Sequence, residues 1–346
     1  MPLTYASAGL NLDLYEEGIN AIGPLAKKTH SSRVLDGFGS FSSLYDLDVK
    51  RFRDPLLVTC TDGVGTKIHV ARMMNKHDTV GIDLVAMSVN DALCCGAEPL
   101  VFLDYVCMPA DDPKLLTQIV RGVSDGCFRA GCSLVGGETA IHPGDMDEGH
   151  YDLAGFCVGV VEREQAITGA KIEPGDIVLG LSSSGLHSNG YSLARKVVFE
   201  HAKLTVDQQV RELGGTVGSA MLEPTRIYVK PILALLAHYR GHDAIHGLAH
   251  ITGGGLVDNI PRILPAGCQV NLKRGSWPMP AVIPWIQKLG SIEQKEMDRV
   301  FNGGLGFIVI VAASEAKAVR DRLNDARIMT HIVGEVVAGE SGAQFV

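Results

Sequence analysis

Residues 56–61 form an apolar, β-prone run that stops abruptly at Asp62-Gly63-Val64-Gly65-Thr66-Lys67, the pattern of a strand that delivers a polar loop at its carboxyl end. Apolar runs of the same kind predict strands over 99–108, 132–140 and 153–161. Helical spacing predicts helices over about 11–28, 81–95 and 115–130. In the second of these, Val85, Val89 and Ala92 recur on one face, Asp83 reads as an N-cap and Gly96 as the stop. Asn90 and Asp91 lie inside that apolar helix, where burial is costly without a partner, and a metal or ligand is the expected one.

The pattern changes near Ile167, and Pro174-Gly175-Asp176 opens a second unit. Strands are predicted there over 177–181, 244–251, 307–311 and 328–337, and helices over 191–200, 224–239 and, amphipathic, up to Leu264. The reading is an α/β (α+β) chain in two domains, 1–166 and 167–346.

With 46% hydrophobic residues and 40 glycines, a chain of 346 residues can build two cores joined by tight turns. Its net charge of −8 and scattered basic residues exclude a nucleic-acid groove; Lys27-Lys28 and Arg51-Phe52-Arg53 are too short to form one. No stretch reaches the roughly 18 apolar residues of a membrane span. Met1-Pro2-Leu3-Thr4-Tyr5-Ala6 lacks the pattern of a secretory signal, so a cytoplasmic protein is expected. The eight cysteines contain no Cys-x-x-Cys pair and read as buried free thiols.

Candidate chemistry gathers where strands end. Gly63 and Gly65 let backbone N–H groups approach an anion, Lys67 adds positive charge, and Asp62 suits a divalent ion. This is not a Walker A loop, because the spacing differs and Ile68 follows the lysine. Gly136-Gly137-Glu138 repeats the arrangement, and Asp62, Asp91 and Glu138 together suggest a magnesium cluster of hard oxygen ligands. Ser184-Gly185-Leu186-His187-Ser188-Asn189-Gly190 links a strand to a helix and reads as a phosphate site, with His187 as phosphate donor, proton carrier or plain surface residue. Gly37-Phe38-Gly39 is either a hairpin turn with a buried aromatic or a flap over nucleotide phosphates.

The ordered set Thr61-Asp62-Gly63-Val64-Gly65-Thr66-Lys67, Gly81-Ile82-Asp83-Leu84-Val85-Ala86-Met87, Gly136-Gly137-Glu138-Thr139, His187-Ser188-Asn189-Gly190-Tyr191, Pro224-Thr225-Arg226-Ile227-Tyr228 and Thr252-Gly253-Gly254-Gly255 resembles the phosphoribosylformylglycinamidine cyclo-ligase family over nearly the whole chain. The resemblance implies ATP-dependent ring closure of formylglycinamidine ribonucleotide to aminoimidazole ribonucleotide, with ADP and phosphate released. It further implies magnesium on Asp62, Asp91 and Glu138, and Lys67 with Gly63, Gly65 and Thr66 at the ATP phosphates. Gly37, Phe38 and Gly39 would close over them, and Ser184, Gly185, Ser188, Asn189 and Gly190 would lie at the substrate, with His187 assisting. A homodimer is implied too, its amino-terminal sheets joined in a barrel.

Thiamine monophosphate kinases and selenide-using dikinases share the carboxylates. The kinases, however, carry an Asp-rich motif where this chain has Thr252-Gly253-Gly254-Gly255, and the dikinases need an amino-terminal cysteine, whereas the first here is Cys60. A hydrogenase-maturation relative would end in cysteine; this chain ends Gln344-Phe345-Val346. A catalytically silent nucleotide-binding protein is the alternative from another class, and the joint presence of Asp62, Asp91, Glu138 and Lys67 argues against it.

Overall fold

The computed structural model describes residues 3–346; Met1 and Pro2, part of the amino terminus read above for a signal, lie outside them. Helix α1 (Leu12–Lys27) starts where Asn11 accepts from the N–H groups of Asp13 and Leu14. A short hairpin, β1 (Val34–Asp36) and β2 (Leu44–Tyr45), precedes β3 (Pro55–Gly63), α2 (Ile68–Met74), α3 (Val80–Leu93) and β4 (Glu98–Met108). Then follow α4 (Pro113–Ala130), β5 (Ser133–Ile141) and β6 (Asp152–Glu162). Asp112 caps α4 with Pro113 at its first position, and Gly131, at φ +82°, ends it by donating to Cys127 O.

These strands form a four-stranded sheet in the order β3-β6-β4-β5, with only β4 and β5 parallel. Helices α3 and α4 cover one face. Their backbones touch: a Cβ on Gly81 would sit 2.3 Å from Ile119 O, and one on Gly122 2.1 Å from Asp78 O. Helix α3 is apolar nearly all round and buries every one of its 14 residues except Asp91. It packs on β3 and β6 on one side and reaches the second domain on the other.

The second domain holds β7 (Ile177–Ser182), α5 (Tyr191–Arg195) running into a π turn, a small hairpin of β8 (Gln209–Val210) and β9 (Gly215–Thr216), α6 (Val217–Met221) and α7 (Val229–His238). Next come β10 (Ile245–His250), α8 (Gly255–Asn259), β11 (Cys268–Leu272), α9 (Val282–Gly290) and α10 (Gln294–Val300). The chain closes with β12 (Leu305–Val311), α11 (Ala316–Asp325), β13 (Thr330–Ala338) and β14 (Gly342–Phe345). Its six-stranded sheet runs β10-β12-β7-β13-β11-β14. The molecule is thus a mixed α/β fold of two domains. Strands β11 and β14 and helices α9 and α10 have no counterpart in the sequence reading.

Other expectations need correction. Asp83 is no N-cap, for Thr79 precedes α3 and Asp83 is buried one turn inside. Helix α7 starts at Val229, not at Pro224, because the preceding backbone is bonded to the first domain. All eight cysteines are free, but only Cys127, Cys132, Cys157 and Cys268 are buried; Cys60, Cys94 and Cys107 are half-buried and Cys95 is exposed. Among the described residues no helix is long and apolar enough to cross a membrane.

Candidate active site at the domain junction

Asp62 ends β3, half-buried, with its Oδ1 accepting from Gly63 N at 2.8 Å. Burial raises its pKa, and the negative charge of Asp91 raises it further. Asp91 reaches out from the last turn of α3 with a side chain 40% exposed, and its Oδ1 accepts from His250 Nδ1 at 2.8 Å. The carboxylate accepts only, so this bond sets the ring's tautomer. His250 is itself held by its N–H on Cys94 Sγ at 3.1 Å, and its Nε2 is buried without a partner. Two carboxylates whose charges act on each other are a donor set suited to a magnesium ion, which ordinarily takes one or two carboxylates and fills its shell with water and phosphate oxygens.

Glu138 does not join them. Gly63, Ala154, Tyr105 and Glu138 are paired in one row across the sheet, whereas Asp62 pairs with Gly155, Asp104 and Gly137 in the next row. Successive residues of a strand point to opposite faces. Glu138 therefore lies on the outer face at the β5 edge, exposed, and Asp62 on the helix-covered face at the β3 edge. Three strand spacings separate the edges, roughly 14 Å. Among the described residues no three His, Cys, Asp or Glu converge on a metal position, so the three-carboxylate cluster is not assembled within one chain.

Lys67 also differs from expectation. It is wholly buried, and Nζ donates to Asp83 Oδ1 (2.9 Å), His187 O (2.9 Å) and Glu223 O (2.7 Å). All three ammonium protons are thereby used, which leaves none for a phosphate. Asp83 Oδ1 further accepts from Thr225 N (2.7 Å) and Thr225 Oγ1 (2.6 Å), so the pair ties the two domains together. Beside it, Asn90 donates to Arg226 O at 2.9 Å and accepts from Tyr228 N at 3.0 Å. The partner that buried Asn90 demanded is the second domain's backbone, not a metal.

His187 is fully buried at φ +59°, and its Nε2 accepts from Ser184 N at 3.1 Å and from Arg226 N at 3.4 Å. Burial, with the nearby cationic groups, holds its pKa well below the ordinary histidine value. It is a neutral ring bracing its own loop, not an exposed proton carrier. Phe38 packs against Gly23 of α1, so the Gly37-Phe38-Gly39 segment is a hairpin turn with a docked aromatic, while Gly39, at φ +104°, stands open. Gly65, at φ +69°, likewise has nothing within 4 Å of its missing Cβ and leaves room for a ligand.

Asp104 shares the row of Asp62, and burial raises its pKa to about 7. The native state then holds a proton that the unfolded chain, with an ordinary carboxyl value of 3.8, has lost. This contribution to stability is full below about pH 4 and fades as pH rises to about 7. Asp104→Asn needs no ionisation. Its melting temperature relative to the parent protein is expected to climb between pH 5 and pH 8, and a pH-independent difference would reject the buried-proton account.

A cavity of about 810 Å3 opens at the other end of the sheet, between Gly96, Glu98, Glu162, Lys171, Arg240 and His246, and contains neither Asp62, Asp91 nor His250. The carboxylate pair lies outside this cavity.

Two family models match the chain: AIR synthase related protein, N-terminal domain, over residues 47–161, and AIR synthase related protein, C-terminal domain, over residues 173–346. Phosphoribosylformylglycinamidine cyclo-ligase of Syntrophus aciditrophicus (strain SB) is 50% identical over 96% of this chain and 95% of its own length. The chain belongs to the phosphoribosylformylglycinamidine cyclo-ligase family. The enzyme of the same name from Caldanaerobacter subterraneus subsp. tengcongensis is 48% identical over 98% of this chain and 99% of its own. Among solved structures, thiamine-monophosphate kinase from Stenotrophomonas maltophilia K279a superposes with a TM-score of 0.67 over 93% of this chain and 94% of that one, at 17% identity. Hydrogenase maturation protein HypE in complex with ATP gives 0.64 over 93% and 89%, also at 17%. At these identities the two structures share the cyclo-ligase fold, and no more is carried from them.

Proposed function

We infer that this chain is an ATP-dependent ligase that closes formylglycinamidine ribonucleotide to 5-aminoimidazole ribonucleotide in purine biosynthesis, releasing ADP and phosphate. The observation that carries this is identity near 50% to cyclo-ligases over almost the entire chain. In that reaction the formyl oxygen is a poor leaving group; phosphorylation by ATP lets it depart as phosphate when the amidine nitrogen attacks. Such chemistry depends on alignment and charge neutralisation rather than on an enzyme nucleophile.

In our reading residues 1–166 bind nucleotide and residues 167–346 contribute to the substrate site. Asp62 and Asp91 hold magnesium, which when bound neutralises phosphate charge, and their adjacency at an open loop supports the pairing. Gly63, Gly65 and Thr66 lie along the phosphates, while the Gly37-Phe38-Gly39 turn, with Phe38 docked on α1, stays a fixed hairpin rather than a closing flap. Lys67 and His187 position the Ser184–Gly190 loop rather than touching reacting atoms. A homodimer is supported by the outer face of the first sheet, where Leu57 is 65% and Phe156 44% exposed beside half-exposed Leu103, Tyr105 and Val158. A second copy seated there would cover the face that carries Glu138. A cytoplasmic setting fits the absence of a membrane-length helix among the described residues.

The test is incubation with ATP, magnesium and formylglycinamidine ribonucleotide, measuring ADP and aminoimidazole ribonucleotide together. Equimolar, substrate-dependent formation of both is expected. ADP without ring closure would point to a kinase relative, and binding without turnover to a silent binder.

A further inference from the structure

The loop read from the sequence as the phosphate site is closed on itself. Ser183 Oγ donates to Gly185 O, Ser184 Oγ to Pro224 O and Asn189 Nδ2 to Ile251 O, while Ser188 Oγ pairs with Thr225 Oγ1. A Cβ on Gly190 would strike Phe301 at 2.5 Å, so that residue serves packing. The loop's side chains are committed within the protein.

Just beyond it the situation reverses. Thr66 Oγ1 lies 3.3 Å from Ser192 Oγ of α5, bringing the turn that leads into α2 of the first domain against α5 of the second. His69 and Arg72 on α2 and Arg195 on α5 are near enough that both guanidinium charges bear on the His69 ring. His150, from the loop before β6, meets His69 edge-on with ring centroids 5.8 Å apart. Arg195 Nε is buried with no hydrogen-bond partner. The acidic neighbours are few: Asp147 stands 3.6 Å from His150, and Glu200 acts on Arg195 without forming an ion pair.

Two arginines and two histidines from three separate segments therefore face one another in a protein whose net charge is −8. The two guanidinium charges repel each other, a standing cost that a bound anion would relieve, and a guanidinium fork matches phosphate oxygens in shape as well as charge. The cluster also follows directly on the open Gly63–Thr66 loop that leads away from Asp62.

We propose that His69, Arg72 and Arg195, with the Thr66 and Ser192 hydroxyls, form a binding site for a phosphate group spanning the two domains. The proposal rests on the cyclo-ligase reading for its ligand class: the phosphate belongs to the ribonucleotide or to ATP.

Steady-state kinetics of the full-length protein with magnesium, ATP and formylglycinamidine ribonucleotide separate the two sources. Arg195→Gln is expected to raise one KM by about 10- to 100-fold, the loss of a charged hydrogen bond. A rise for the ribonucleotide alone assigns its phosphate to the site, and a rise for ATP alone assigns the nucleotide's. Titration with inorganic phosphate by calorimetry gives a readout independent of turnover: the parent protein binds it and Arg195→Gln does not. If Arg195→Gln fails to fold, His69→Gln on the other domain is measured in its place. Both KM values and phosphate binding unchanged in a folded variant would overturn the site. Phosphate binding lost in the variants of a protein that makes no aminoimidazole ribonucleotide would instead leave the site standing and reject the cyclo-ligase reading.

Discussion

Lys67→Met is expected to lower the unfolding free energy by about 3–5 kcal/mol, because it removes one member of a fully buried ion pair and leaves the other charged. Neither side chain of the pair touches solvent, and Asp83 Oδ2 already lacks a partner, so nothing nearby can take over the lost bond. The same change frees His187 O and Glu223 O, the points at which the first domain holds the loop and the segment before α7. Loss of stability is therefore predicted to come with a higher KM for the ribonucleotide. Urea unfolding with kinetics on the surviving native fraction checks both. A double variant, Lys67→Met with Asp83→Leu, is expected to cost less than the sum of the single changes, since no orphaned charge remains. If the costs add, or if Lys67→Met unfolds like the parent, the pair does not clamp the domains.

That clamp marks the limit of what the chain's local pattern discloses. Strand β3 was legible because an apolar run meets Asp62-Gly63, and α3 because Val85, Val89 and Ala92 recur with helical spacing. Asp83 was misread because an acidic residue near a helix start has an ordinary local explanation. Its partners are Lys67, 16 positions earlier, and Thr225, 142 positions later. Glu138 was grouped with Asp62 because both end glycine-flanked strands, yet strand order and residue parity place them on different edges and faces. Neither property can be read along one strand. His250 was passed over inside an apolar strand, although a titratable ring just before Thr252-Gly253-Gly254-Gly255 was a usable signal. The basic cluster offered none, as His69, Arg72, His150 and Arg195 converge only after both domains have folded.

Asp91→Asn should lower kcat/KM by about 100-fold and raise the magnesium concentration needed for half-maximal rate, with the melting temperature almost unchanged. The stability expectation follows from geometry: asparagine keeps the oxygen that accepts from His250 Nδ1, and Asp91 is the one residue of α3 that is not buried. What is lost is a formal negative charge beside Asp62, and with it half of the proposed metal pair. The same loss lowers the pKa of Asp62, which Asp91 now raises. An acidic limb of kcat/KM set by Asp62 should therefore move to lower pH in the variant, whereas a purely structural defect would leave it in place. His250→Gln supplies the contrast. It preserves both carboxylates but slackens the hold on Asp91 and removes the ring whose charge lowers the pKa of Asp62, so a smaller fall in kcat/KM is expected, with the acidic limb moved the opposite way, to higher pH. If Asp91→Asn leaves the magnesium dependence as it was, Asp91 does not hold the ion and its bond to His250 is structural. If magnesium dependence and acidic limb shift together, the two carboxylates act as one site, and Asp62→Asn added to Asp91→Asn should cost much less than a second factor of about 100.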